Sequence, residues 1–188
     1  MKIIEEITYR EMTRRWAIGE VMSVFFHRRD KAYQQDTLRL LTCGNQDDES
    51  EGIRRHQITR GSYISSIPPG TTWYLSKLSV TEEEFAKLYT DKSPGWKRYS
   101  GGTFRLSDVA TFLREDPSQD LRIAGMISEL QNRRFEPIGI TLIEENSNGP
   151  YTILEGNGRL AAVYIQCLLQ DRKSDCPSEL EVILGRKA

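Results

Sequence analysis

Residues 151–170 read YTILEGNGRLAAVYIQCLLQ, and this stretch decides how the rest of the chain is read. Tyr151, Thr152, Ile153 and Leu154 suit a strand, Glu155-Gly156-Asn157-Gly158 suits a turn, and an unbroken helix-forming segment follows from Arg159. Glycine at 156 and 158 permits positive φ and lets a ligand approach the backbone closely. The unpaired N–H groups and positive dipole end of the following helix suit an anion, phosphate above all. Arg159, in the first helical turn, carries a forked guanidinium of the kind that clamps phosphate through two hydrogen bonds. Glu155, at the strand end, is placed to hold a metal or to accept a proton. The same turn also joins strand to helix with no ligand present, because glycine and asparagine suit its geometry. It is neither a P-loop, since no Lys-Ser or Lys-Thr follows, nor the GxGxxG pattern.

Composition bounds the answer. A chain of 188 residues with 38% hydrophobic and 28% charged residues fits one domain with a sizeable core. A net charge of −1 gives no global attraction to nucleic acid, but basic residues pair at Arg14-Arg15, Arg28-Arg29, Arg54-Arg55 and Arg133-Arg134. Cys43, Cys167 and Cys176 have irregular spacings that form neither a zinc pattern nor a disulfide framework, so a reducing cytoplasm is the expected setting. The charged N-terminus lacks the apolar run of a signal peptide, and no stretch is apolar enough to span a membrane.

Along the chain, apolar spacing predicts a helix from Tyr9 to Phe26 and a shorter one from Asp30 to Cys43. The acidic run from Gly44 to Gly52 reads as an exposed loop and a domain boundary. Strands are expected over Ile58–Ile67 and Thr72–Val80. Thr81-Glu82-Glu83-Glu84 is a capping box opening a helix that carries Phe85, Leu88 and Tyr89. Lys92 to Gly102 reads as a loop, with Trp96 and Tyr99 either packed on the core or presented for stacking on a base. A short helix capped by Ser107, a helix bearing Leu121 to Leu130, a strand over Ile138–Ile143, an Asn148-Gly149 hairpin and a last strand over Leu180–Leu184 complete the reading.

Two known families end a loop in a comparable way. The Fic adenylyltransferases share Glu-Gly-Asn-Gly-Arg, but Tyr151 stands in the place of their catalytic histidine and Ala162 in that of their last arginine. A longer resemblance runs from Leu121 to the C-terminus, through LRIAGMISELQNRR, EPIGITLIEE, YTILEGNGR, LAAVYIQCLLQ and SELEVILGR. In order and spacing these parts resemble the ParB/sulfiredoxin superfamily, although Asn157 and Gly158 stand in its histidine places. The sulfiredoxin cysteine also falls on Asn157, so peroxiredoxin repair is not expected. The resemblance implies an α+β fold, a small mixed sheet flanked by helices. Residues 1–52 would be a helical N-terminal extension ending in the acidic loop, and residues 53–188 the nucleotide-binding domain.

The resemblance further implies ATP or another nucleoside triphosphate on Gly156, Asn157, Gly158 and Arg159, with Arg122 and Ser128 contributing from the preceding helix. Glu155 and Arg159 would be catalytic, and Glu155 would hold Mg²⁺, with Glu144 or Glu145 next in line. With no helix-turn-helix reader downstream before Ala188, the chain does not read as a full partitioning clamp. It is similar in build to the Osa type of plasmid fertility-inhibition factors, which implies ATP hydrolysis, DNA cleavage and contact with a plasmid transfer machinery. DNA would lie on Arg133 and Arg134. A non-enzymatic nucleotide-sensing or protein-binding module and a small-molecule kinase remain as alternatives.

Overall fold

A computed structural model describes residues 1–22, 31–64, 67–132, 137–170 and 176–187, with residues 56–64 described by their backbone alone. It is a mixed sheet with helices on both faces, in agreement with an α+β fold. The strands are β1 (Lys2–Ile7), β2 (Thr72–Ser79), β3 (Leu88–Tyr89), β4 (Ile140–Glu144), β5 (Tyr151–Glu155) and β6 (Glu179–Arg186). They lie in the order β1-β2-β6-β4-β5-β3, with β4 parallel to β6, β3 parallel to β5 and the other pairs antiparallel.

The N-terminal segment is part of this sheet rather than an appendage to it. β1 pairs with β2, Ile7 opposite Trp73. α1 (Tyr9–Val21) follows at once, its start fixed by Thr8, whose hydroxyl accepts from the Glu11 N–H. Met12 and Trp16, one helical turn apart, bury themselves against Trp73, Ile143 and Ile183 on one sheet face. α2 (Lys31–Thr42) and α3 (Gln46–Ile64) pack outside α1.

The acidic run is therefore not a loop but the first turn of α3. Asn45 Oδ1 accepts from the N–H groups of Asp47 and Asp48, and three carboxylates in that turn suit the helix dipole. The strand expected over Ile58–Ile67 is also displaced, since the helix runs on to Ile64.

On the opposite face lie α4 (Glu82–Phe85), α5 (Pro94–Tyr99), α6 (Leu106–Glu115), α7 (Leu121–Gln131) and α8 (Asn157–Val163), which continues as a π-helix over Tyr164–Leu169. Their apolar sides, Val109, Leu113, Ile123 and Met126 among them, meet Ile140, Leu142 and Ile153 from the sheet. The Thr81 cap is present, its hydroxyl accepting from the Glu84 N–H. The helix nevertheless stops at Phe85, because the Lys87 carbonyl accepts from the Tyr151 N–H and draws Leu88 and Tyr89 into the sheet beside β5. The expected 92–102 loop contains α5, begun by Pro94 at its first position, where proline's missing N–H costs nothing.

Cys167 and Cys176 are joined by a disulfide, and Cys43 is free. That overturns the expectation of unpaired cysteines, and with it the inference from cysteine usage to a reducing compartment. The end of the motif helix and the approach to β6 bring the two Cα atoms to 5.7 Å, a proximity that their sequence spacing does not encode. Among the described residues no helix is long and apolar enough to cross a membrane.

α1 sits very close to the chain entering β4. A Cβ added to Gly19 would meet the Ile138 carbonyl oxygen at 2.6 Å and Gly139 Cα at 2.7 Å. Gly19→Ala should therefore cost about 1–3 kcal/mol, the range for overpacking, as read from urea unfolding. Gly95→Ala, with nothing within 4 Å, should be neutral or gain up to about 1 kcal/mol. Equal midpoints for Gly19→Ala and the parent would contradict the close seating of α1.

Candidate ligand-binding turn and cleft

The expected strand, turn and helix over 151–163 are present, but the helix begins two residues earlier than Arg159 and takes in Gly158, so Gly156 alone makes the turn. β5 ends at Glu155, Gly156 turns the chain at φ +97°, and α8 begins at Asn157. Glycine is required at 156 on two counts: L side chains rarely adopt that φ, and a Cβ there would press on Ile140 Cγ1 at 3.0 Å.

Arg159 does not face outward as a phosphate clamp. It is 2% exposed, its Nη1 donating to the Ile138 carbonyl at 2.6 Å and its Nη2 to Glu155 Oε1 at 2.8 Å. A Cβ on Gly19 would also lie 2.7 Å from that Nη1, so the guanidinium is enclosed between α1, the entry to β4 and the end of β5. Glu155 Oε1 accepts in addition from the Gly156 N–H at 2.8 Å. The metal role expected of Glu155 does not fit this arrangement, because that oxygen already serves a cation and a backbone donor. Among the described residues no cluster of three or more His, Cys, Asp or Glu side chains is placed to hold a metal ion.

The other expected residues divide. Asn157 is buried, its Nδ2 donates to Asp91 Oδ2 at 3.0 Å, and its Oδ1 has no hydrogen-bond partner among the described residues. Gly158 faces the start of α7, where a Cβ would lie 3.7 Å from Arg122 Nη2. Arg122 is thus beside the turn, half-exposed, paired with Asp120 at 3.1 Å and with its guanidinium carbon 5.8 Å from the centre of the Trp96 ring. Ser128 is exposed and lies two residues beyond Met126, which itself touches the Gly158 side, so it stands on another face of α7. Arg133 and Arg134 lie outside the described residues.

Asp91 links the turn to a cleft of about 660 Å³. Tyr89 and Phe104 give it aromatic walls, Thr152 and Leu154 come from β5, and Lys92, Asp91 and Glu145 give it charge. The Tyr89–Arg105 segment closes on itself through the Thr90 N–H to Phe104 carbonyl bond and a bridge between Tyr89 and Arg105. Phe104 takes φ +60°, rare for an aromatic residue and a form of local strain that recurs at ligand clamps.

Glu145 is held below the usual carboxylate range by the Lys187 ammonium at 2.7 Å; burial opposes this, and the Thr152 hydroxyl and the more distant Lys92 add to it. It stays ionised at neutral and mildly acidic pH. Glu144 points elsewhere, to Arg186 and the Asn148 N–H. Tyr89, Asp91, Lys92 and Phe104 had no motif to mark them; the loop-like composition around Trp96 was the nearest signal.

Comparison with protein-family models, curated proteins and solved structures finds no match for this chain.

Removing the Arg159 guanidinium should take from Glu155 its buried cation and from the Ile138 carbonyl its 2.6 Å donor. Arg159→Ala should therefore lose about 3–5 kcal/mol of stability, the cost of breaking a buried pair. Arg122→Ala, removing a half-exposed pair, should lose less than about 1 kcal/mol. Chemical denaturation of both variants checks the ranking, and an Arg159→Ala protein as stable as the parent would show the buried pair to be incidental.

Proposed function

We propose that this chain is a nucleotide-binding domain whose ligand occupies the cleft and the outer side of the Gly156–Gly158 turn, and that Glu155 and Arg159 shape the turn rather than touch the ligand. The observation that carries this reading is the Asp91–Asn157 hydrogen bond, which fastens the wall of the cleft to the turn. The walls then match a nucleotide in parts. Tyr89 and Phe104 offer ring faces to a base, Lys92 offers a cation to phosphate, and Arg122 offers a second cation beside Gly158. The cleft volume falls in the usual range for small-molecule sites.

ATP hydrolysis with DNA cleavage, in the manner implied by fertility-inhibition factors, is a second reading. It is favoured by Asp91 and Glu145, two carboxylates on the same cleft. Mg²⁺ at a triphosphate takes its oxygens from one or two carboxylates and from the phosphates themselves; Asp91 and Glu145 would hold it by exchanging their present bonds to Ser93, Asn157, Thr152 and Lys187, and the ion would neutralise phosphate charge.

Calorimetric titration with ATP separates the readings. The parent should bind, and Lys92→Ala and Arg122→Ala should each weaken binding by about 1.5–3 kcal/mol, the range for hydrogen bonds to charged groups. Neither substitution should alter stability appreciably. No ATP binding by the folded parent would overturn the proposal. Phosphate release or plasmid nicking with Mg²⁺, lost in Glu145→Gln, would move the conclusion to the hydrolase.

A further inference from the structure

We infer that the Tyr89–Arg105 segment is the contact surface for a single-stranded nucleic acid, one base entering the cleft and the phosphates running over Lys92, Lys97 and Arg105. The inference extends the nucleotide reading of the cleft and rests on it for the seat of the base.

Charge is the first support. The chain as a whole carries a net charge of −1, yet this segment holds Lys92, Lys97, Arg98 and Arg105 against Asp91 alone. All four cations are exposed, and Lys92, Lys97 and Arg105 form no ion pair among the described residues. Backbone bonds fold the segment back on itself and so bring the parts that carry these charges near one another. Lys97 accepts through its carbonyl from the Gly102 N–H at 2.9 Å, and Thr90 bonds to Phe104 at 2.8 Å. The carboxylates bordering it are directed to donors of the fold. Asp91 accepts from Asn157 and the Ser93 N–H, Asp108 from the Thr103 hydroxyl, and Asp120 from Arg122 and the first N–H groups of α7.

Aromatic placement is the second support, and it selects a single strand. Tyr99 is engaged by the fold, since it stacks on Phe112, has the Arg98 guanidinium 4.8 Å from its ring centre, and its hydroxyl donates to the Gln119 carbonyl. Trp96 is buried beside Arg122. Tyr89 and Phe104 are the rings that remain, and both stand inside the cleft. An unpaired base can enter there, whereas a duplex keeps its bases stacked inside. A cationic track beside aromatic platforms is the general solution for sequence-tolerant binding of single strands. Gly101 and Gly102, at φ +61° and +92° with open space above them, keep the surface between Lys97 and Phe104 low enough for a backbone to pass.

Fluorescence anisotropy with a labelled oligothymidylate of about twelve nucleotides, within the usual single-strand site size, tests this on the full chain. Affinity should fall with salt at a log–log slope near −2, at about −0.7 per phosphate for roughly three contacts. The double variant Lys97→Ala/Arg105→Ala lies outside the proposed ATP contacts. It should lose at least about tenfold in oligonucleotide affinity, with a slope smaller by about 1.4, while binding ATP as the parent does. Oligonucleotide binding without ATP binding would support the surface and discard the free-nucleotide reading. ATP binding with no oligonucleotide binding at about 50 mM salt, equal affinity for duplex of the same length, or an unchanged slope in the folded double variant would each overturn the inference.

Discussion

The guanidinium of Arg159 is the point at which three parts of the chain are held together. It reaches back from α8 to the Glu155 carboxylate at the end of β5, donates to the Ile138 carbonyl at the entry to β4, and lies against Gly19 of α1. At 2% exposure its charge needs these partners. Satisfying them fixes where the turn stands relative to the sheet, and so where Asn157 meets Asp91. A buried ion pair between residues four apart is a local device. The carbonyl of Ile138 and the bare backbone of Gly19 make it a tertiary one.

This arrangement separates two roles that a glycine turn with an arginine invites one to merge. The inner side of the turn serves the fold, while Asn157 joins the turn to the wall of the cleft, and the cleft is where a ligand has room. The distribution of charge agrees with that division. Arg159 and Glu155 largely neutralise one another inside, whereas Lys92 brings positive charge to the cleft beside its aromatic walls.

The parts legible in the sequence were those whose signals are local. Strand-forming residues over Tyr151–Leu154, a glycine where the backbone turns at φ +97°, and the Thr81 cap each act within a few residues. Where a distant partner decides, the reading failed. KIIEEI at residues 2–7 is a charged edge strand that exists because β2 pairs with it, and Leu88–Tyr89 leaves its helix because β5 offers a ladder. The acidic run at 45–52 was ambiguous for another reason, since Asn45 and three carboxylates suit a loop and a capped helix start equally well. Side-chain direction was the deepest gap. Arg159 is placed by sequence at the turn, but whether its guanidinium points to solvent or to Ile138 depends on α1 and β4. The cleft was invisible because Tyr89, Asp91 and Phe104 on one segment meet Glu145 and Thr152 on another only after the sheet has formed.

Resonance mapping by ¹⁵N-edited NMR during an ATP titration tests the division of roles most directly, because the Arg159 side-chain Nε–H reports on the buried pair while backbone amides report on the cleft. The account predicts progressive shifts at Tyr89, Asp91, Lys92, Phe104, Thr152 and Gly158, with the Arg159 Nε–H signal unmoved. A large shift of that signal with the cleft amides silent would contradict it, and would show that the guanidinium leaves Glu155 to take the phosphate.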